Sequence, residues 1–170
     1  FTDNDHPSGV ALITIDKDAE NCIVVASGAN MYLVPTDIDI AATEIGSADV
    51  VLMQLECPVP TVAYAARMAA KAGVPVILNP APAPSEPLST ELLHDLYLIT
   101  PNRSEASRIS GIEITDMESA QRAAKAIHDM GPRNVIITLG GDGSLVYDGK
   151  MFMRVEALKV EAVDTTAAGD

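Results

Sequence analysis

Apolar residues fall into short runs separated by polar turns, and the spacing within each run indicates its structure. Residues 9–15 (GVALITI) and 22–27 (CIVVAS) are rich in β-branched residues and flank the polar stretch DKDAEN, which is typical of a β-hairpin. Beyond Pro35, apolar residues between Ile38 and Ile45 recur at i, i+3, i+4 and i+7. This period predicts one helix, which we expect to end at Gly46 and Ser47.

Strand and helix patterns then alternate. Apolar runs predict strands at 50–56, 74–78, 96–100 and 134–139. The first is apolar at consecutive positions, as expected of a parallel strand that is covered on both faces. Helices are predicted from about Pro60 to Lys71, near 89–93, and from a Thr115/Glu118 capping box to about Met130. With a second hairpin turned by Asp148 and Gly149, the pattern predicts an α/β fold: an open, mostly parallel sheet flanked by helices, with a small β element.

Composition and charge narrow the class of protein. The 170 residues are 48% hydrophobic, which suits one domain with a buried core. Eleven basic and 24 acidic residues give a net charge of −13, so we expect neither nucleic-acid nor anionic-membrane binding. Cys22 and Cys57 lie in apolar segments and are predicted to be core residues in a reducing compartment. The absence of a signal peptide pattern and of a long apolar run predicts a cytoplasmic protein.

Polar or glycine-rich segments follow the predicted strands, where ligands bind in open α/β sheets. They are Glu56, residues 102–105, residues 140–143 and residues 164–170. In the last, Ala167, Ala168 and Gly169 are small enough for backbone N–H groups at a helix start to approach a phosphate. Asp170 could then take a proton from an attacking hydroxyl. A plain helix start with close packing explains this segment equally well.

The other segments have structural alternatives of similar weight. Glu56 could accept hydrogen bonds from a polyol, or it could be a solvated strand end. Asn102 and Glu105 could order water and metal around a nucleotide, or they could be an N-cap and its N3 partner. Glycines at 140–143 allow close approach to a flat ligand, or they could form only a turn between strands.

Six motifs carry a resemblance to a known family. They are SGVALITID…AEN with SGAN, MQLE, LNPAPA, LITPNRSEA, VIITLGGDGS and VDTTAAGD. In this order and spacing they strongly resemble the ribokinase-like carbohydrate kinase family, which includes fructokinase and adenosine kinase. The resemblance implies an incomplete chain, truncated at both ends, with a lid β-hairpin region at 1–29 and an α/β nucleotide- and substrate-binding core at 30–170.

The resemblance also implies roles for individual residues. Asp170 is the implied catalytic base, and the N–H groups of Ala167, Ala168 and Gly169 form the implied anion hole. Asn102 and Glu105 match a motif that is tied to Mg²⁺ and phosphate. The implied ATP-binding segment contains Thr138, Gly140 and Gly143. A loop for a monovalent cation, usually K⁺, is matched by Asp164 and Thr166.

For the sugar, the resemblance implies that Glu56 binds hydroxyls and that Ala11 and Ile13 make apolar contacts from the lid. Two such lids commonly meet in family dimers, so a homodimer is implied. The motifs favour ATP-dependent phosphorylation of D-ribose at its 5-hydroxyl, giving D-ribose 5-phosphate and ADP. Alternatives are a fructose, 2-keto-3-deoxygluconate or nucleoside kinase, or an inactive fragment that only binds ligand. One departure from the family pattern is Arg103, where an acid is frequent.

Overall fold

The computed structural model of the chain describes residues 1–15 and 21–158. The strands are β1 Val10–Ile15, β2 Asn21–Ala26, β3 Val51–Met53, β4 Val76–Leu78, β5 Leu98–Ile99, β6 Asn134–Thr138, β7 Ser144–Tyr147 and β8 Phe152–Val155. The α-helices are α1 Pro35–Ile40, α2 Ala42–Ser47, α3 Val59–Lys71, α4 Thr90–Asp95, α5 Arg103–Ser110 and α6 Met117–Asp129. Short 3₁₀ turns occupy Gly28–Tyr32 and Gly140–Asp142.

Strands β3 to β8 form one sheet in chain order, and β1 and β2 form a separate two-stranded ribbon. The first four strands of the sheet pair in parallel, and β7 and β8 continue it as antiparallel strands. Parallel neighbours need crossover connections, and each is made through at least one helix. The predicted α/β fold with an open, mostly parallel sheet and a small β element is confirmed. The proposed boundary between residues 29 and 30 remains a prediction.

The core is built from alternating strand residues and from small helix faces. In β6, Val135 and Ile137 are fully buried while their neighbours along the strand are half-buried. Helix α6 buries Ala120, Ala123 and Ala124 completely, at the helical period that puts them on one face. Their short side chains allow the helix to pack closely against β6 and β7. Alternation in β6 and the helical period in α6 thus direct the apolar residues of both elements into the same core.

Two helix boundaries differ from the prediction. The stripe from Ile38 to Ile45 is divided into α1 and α2, because Ala41 leaves the helical region at φ −94° and ψ 13°. The cap of α6 is Asp116, whose carboxylate accepts a hydrogen bond from the Ser119 N–H at 2.7 Å. Thr115 and Glu118 do not form the predicted box; the Ser119 hydroxyl instead accepts a hydrogen bond from the backbone N–H of Thr115. Asp116, one residue after the predicted cap Thr115, thus accepts the hydrogen bond from the first turn of α6.

Two predictions of burial are wrong. Strand β3 lies at the edge of the described sheet, and its Leu52 is 69% exposed rather than covered on both faces. Cys22 is exposed on β2, because the ribbon has no second layer of described residues over it, and Cys57 is half-buried. No α-helix in residues 1–15 and 21–158 has the length and apolar character that crossing a bilayer requires.

We expect Gly131→Ala to destabilise the protein more than Gly111→Ala. Both glycines have positive φ: Gly111, at 71°, is in the left-handed helical region, where alanine costs about 1–2 kcal/mol, and Gly131, at 145°, is in a region where alanine costs about 1–3 kcal/mol. A Cβ on Gly131 would also lie 2.8 Å from the His94 backbone nitrogen, whereas one on Gly111 would meet nothing within 4 Å. The clash should add at least about 1 kcal/mol, measured as a lower urea midpoint of the full-length protein. Equal losses would show that the contact with α4 relaxes freely.

Candidate functional site

Parallel pairing brings the carboxyl ends of β3 to β6 to one edge of the sheet, and backbone hydrogen bonds join the segments that follow them. The Asn79 N–H donates to the Met53 carbonyl oxygen at 2.9 Å, and the Leu55 N–H donates to the Ala81 carbonyl oxygen at 2.8 Å. Further along, Asn102 forms a parallel bridge with Thr138. The loops at this edge are therefore fixed relative to one another, which is what a binding site requires.

One cavity at this edge, the ribbon cavity, has a volume of about 570 Å³. Its described lining consists of Ser8, Gly9, Val10, Ala11, Ile13, Ile23, Val25, Ser27, Asn30 and Glu56. Ala11 pairs with Val25 and Ile13 pairs with Ile23, so these four side chains share one face of the ribbon. The structure thus brings together three of the four residues for which sugar contacts are predicted, Ala11, Ile13 and Glu56; the fourth, Asp170, lies outside the described residues.

Glu56 gives the ribbon cavity its one charged side chain among the described lining residues. It lies in a bend after β3 rather than in the strand itself, and it is exposed. A carboxylate accepts hydrogen bonds from several hydroxyl groups, while the ribbon offers apolar contacts. Burial, with a smaller contribution from the charge of Glu56, raises the pKa of the neighbouring Cys57 thiol. The cavity therefore suits a ligand with hydroxyl groups on one side and C–H groups on the other.

Close backbone packing fixes the base of the ribbon. The Ala29 N–H donates to the Pro7 carbonyl oxygen at 2.9 Å, and Gly28 has a φ of 55°. Beside them, the His6 ring stacks on Tyr32 with centroids 3.4 Å apart. The Asp3 carboxylate is 2.9 Å from His6 Nδ1, and this hydrogen bond lowers the pKa of Asp3. These contacts fix the segments on either side of the ribbon, residues 3–7 and 28–32, against each other.

A larger cavity of about 1040 Å³, the turn cavity, lies where β6 ends. Its described lining consists of Asn102, Arg103, Ser104, Ser107, Ile114, Thr138, Leu139, Gly140, Gly143, Ser144, Val155, Glu156 and Ala157. It therefore brings together four of the five residues that the sequence predicts to bind ATP: Asn102, Thr138, Gly140 and Gly143. Gly143, with a φ of 86°, could not carry a Cβ without a clash with the Val155 carbonyl oxygen.

Asn102 and Glu105 form a capping box at the start of α5, which was the structural alternative to a role in ordering water and metal around a nucleotide. The Asn102 Oδ1 accepts from the Glu105 N–H at 2.9 Å, and Glu105 Oε2 accepts from the Asn102 N–H at 2.8 Å. Glu105 is only 5% exposed and is not part of the described cavity lining. Asn102 lines the cavity, and because its Oδ1 is engaged, its side-chain NH₂ is the group that can donate to a ligand.

An ion pair involves one residue of the turn cavity lining, Arg103. Arg103 Nη2 donates to Asp142 Oδ2 at 2.8 Å, with side-chain exposures of 39% and 64%. Arg103 starts α5, and Asp142 lies in the turn after β6. Sequence reasoning treated Arg103 only as a departure from the family pattern and did not consider Asp142. Their separation of 39 positions left no local signal for the pair.

Other lining residues were also missed. Ile23 and Val25 could have been found from the hairpin register, because they lie opposite Ile13 and Ala11. Val155 ends β8 and Glu156 follows it, and no pattern connected these two residues with the glycine turn.

The predicted catalytic and cation residues lie outside the described residues. They are Asp164, Thr166, Ala167, Ala168, Gly169 and Asp170. Their roles stay predictions that rest on the motif. Within residues 1–15 and 21–158, no group of three or more His, Cys, Asp or Glu side chains is placed to hold a metal ion.

Comparisons with known proteins agree with the motif pattern. The family described as pfkB family carbohydrate kinase matches residues 2–170. The chain is 45% identical to a ribokinase of Haemophilus influenzae and 36% identical to a deoxyribokinase of Salmonella typhi, with 96% of the chain and 53% of each relative covered. A solved structure of Arabidopsis thaliana ribokinase, complexed with ribose and ATP, superposes with a TM-score of 0.83 at 31% identity. That match covers 98% of this chain and 54% of the other.

The chain spans about half the length of the curated ribokinase and deoxyribokinase that it matches. The region in common contains both cavities. It also includes the segment from Asp164 to Asp170, which the family match covers.

We expect Gly28→Ala to loosen the ribbon without unfolding the sheet. A Cβ at this position would lie 2.7 Å from the Gly9 backbone nitrogen and would strain a positive φ. Hydrogen exchange in the full-length protein should show faster exchange of the β1 and β2 amides and unchanged exchange in β4 to β6. Gly46→Ala is the control, because a Cβ on Gly46 would meet only the Ala72 Cβ at 3.9 Å. Unchanged protection of the ribbon in Gly28→Ala would contradict this account of its base.

Proposed function

Because the chain belongs to the pfkB family of carbohydrate kinases, we propose that the full-length protein transfers the γ-phosphoryl group of ATP to the 5-hydroxyl of D-ribose. The products are D-ribose 5-phosphate and ADP. The observation that carries the proposal is the presence of two cavities at one sheet edge. One combines a carboxylate with an apolar ribbon, and the other combines a glycine turn with the start of a helix.

The choice of ribose is supported by the ribokinase relatives and by the solved relative that holds ribose and ATP. The second candidate is 2-deoxyribose, which the similarity to a deoxyribokinase favours. The two sugars differ by one hydroxyl group. Glu56 is the described residue best suited to sense that difference, since its carboxylate accepts hydrogen bonds from hydroxyls.

In the proposed mechanism the ribbon closes over the sugar and excludes water, which would otherwise compete as phosphoryl acceptor. Glu56 orients the sugar through its hydroxyls. Asp170 takes the proton from the 5-hydroxyl as that oxygen bonds to the γ-phosphorus, and the bond from that phosphorus to the β,γ-bridging oxygen breaks to release ADP. Backbone N–H groups of Ala167, Ala168 and Gly169 stabilise the charge on the transferred group. Catalysis therefore comes mainly from positioning and charge stabilisation.

Cations complete the proposed nucleotide site. Glu105 has a buried carboxylate of the kind that Mg²⁺ binds directly or through water. The Asn102 Oδ1 is engaged in the cap, so its side-chain NH₂ would donate to a phosphate or to water around the ion. Mg²⁺ that binds with ATP would neutralise phosphate charge. Thr138, Gly140 and Gly143 would contact the nucleotide. Asp164 and Thr166 carry oxygen donors suited to K⁺.

We further propose a homodimer formed through the ribbon. Its second face, opposite the ribbon cavity, carries Leu12 and Val24 at exposures of 67% and 63%. An exposed apolar face of this kind is typical of an interface.

Because the proposed reaction consumes ATP, the cytoplasm is the proposed location.

The proposed reaction can be tested by ADP release from full-length protein with a panel of D-ribose, 2-deoxyribose, fructose, 2-keto-3-deoxygluconate and a nucleoside. We expect the highest kcat/KM with D-ribose. Asp170→Asn, which removes the base but keeps the shape, should lower kcat by about 10² to 10⁴. Preference for another sugar would replace ribose in the proposal, and undiminished turnover by the variant would rule out Asp170 as the base.

A second prediction separates the capping role of Glu105 from its proposed role at the nucleotide. Glutamine keeps the acceptor for the Asn102 N–H, so Glu105→Gln should leave the unfolding midpoint almost unchanged. Because the carboxylate charge is lost, kcat at saturating ATP should fall about tenfold or more. Glu105→Ala should lose activity and also about 1 kcal/mol of stability. Full activity of Glu105→Gln would show that Glu105 is only a cap.

A further inference from the structure

Arg103 has an unfavourable position for a basic residue. It is the first residue of α5, where the helix dipole is positive and acidic side chains or anions are preferred. It is also the one basic side chain among the described residues that line the turn cavity. In a chain with a net charge of −13, a polyanionic ligand needs such a local positive charge.

The ion pair with Asp142 does not by itself explain this placement. Both side chains are well exposed, at 39% and 64%, and pairs this exposed add little to folding stability. The pair does hold the guanidinium beside the glycine turn that lines the cavity, because Asp142 lies on that turn after β6. This turn is closed by hydrogen bonds from Gly143 N–H to the Gly140 carbonyl at 2.9 Å and from Leu139 N–H to the Gly143 carbonyl at 2.8 Å.

A guanidinium has five N–H donors in a planar fork that matches phosphate oxygens. The recorded contact with Asp142 uses one Nη2 donor. Other N–H groups of the fork can therefore bind a second anion in the turn cavity while the Asp142 contact is kept. A phosphate there would also gain from the positive end of α5.

We propose that Arg103 binds the phosphates of the nucleotide and that Asp142 is a positioning residue that holds the guanidinium in place. This proposal rests on the proposed function, which makes ATP the ligand of the turn cavity. It adds a phosphate contact at a position where an acid is frequent in the family pattern. The alternative is that the ion pair between Arg103 and Asp142 only connects α5 to the glycine turn, and the test below distinguishes the two roles.

The test compares ATP binding by calorimetry and steady-state kinetics in full-length variants whose folding is checked by thermal melting. Arg103→Met should weaken ATP binding and raise KM for ATP about tenfold or more, as expected for loss of a hydrogen bond to a charged group. KM for the sugar should not change. Arg103→Lys should restore only part of the affinity, because lysine lacks the fork, and Asp142→Asn should cost about two- to threefold.

Two further variants complete the test. Arg122→Met is the matched control, because Arg122 also forms an exposed ion pair, with Glu118 at 2.9 Å, but lies on α6 outside the described cavity lining; its ATP affinity should equal that of the wild type. The double variant with exchanged charges, Arg103→Asp with Asp142→Arg, restores the ion pair between α5 and the glycine turn but moves the positive charge to the turn. We expect it to remain impaired.

Two results would overturn the proposal: wild-type ATP affinity in Arg103→Met, or full recovery in the exchanged pair. Calorimetry needs no turnover, so a protein that binds ATP through Arg103 but phosphorylates none of the sugars would remove the proposed reaction alone. Failure of the wild type to bind ATP would remove both.

Discussion

Parallel pairing of β3 to β6 is the constraint on which the remaining architecture depends. Parallel strands direct their carboxyl ends to the same side, so segments far apart in sequence emerge next to one another. In this chain the bend after β3, the start of α5 and the glycine turn after β6 are brought to one edge in this way. The bend after β3 is hydrogen-bonded to the segment after β4, and the start of α5 is bridged to the end of β6, so both cavities lie along the same edge.

The two cavities meet different chemical demands with different residues. The ribbon cavity pairs Glu56 with apolar side chains on β1 and β2, and such a surface suits a small polyol. The turn cavity has exposed glycine backbone and Arg103, which suits a flat, negatively charged ligand. An acidic chain can bind such a ligand only through local arrangements of N–H groups and a positioned cation, and the described residues supply both.

The pattern of apolar runs and helix-end signals predicted most of the elements, because buried strands need apolar residues and helix ends need caps or breakers, as β6 and α6 illustrate. It did not predict the break at Ala41 or the α6 cap at Asp116, since these depend on local competition between similar residues. The candidate site was predicted mainly from the motifs and from the general position of ligands beyond the carboxyl ends of parallel strands. The pair of Arg103 and Asp142 was not predictable, because only the folded sheet brings those residues together.

The central claim is that sugar and nucleotide occupy neighbouring cavities at the same sheet edge. A crystal structure of the full-length protein with D-ribose and a non-hydrolysable ATP analogue tests it most directly. The account predicts ribose between Glu56 and the ribbon, phosphates beside Arg103 and the glycine turn, and the Asp170 carboxylate within about 2.6–3.2 Å of the 5-hydroxyl oxygen. Either ligand at another edge, or an Asp170 carboxylate remote from the sugar, would contradict it.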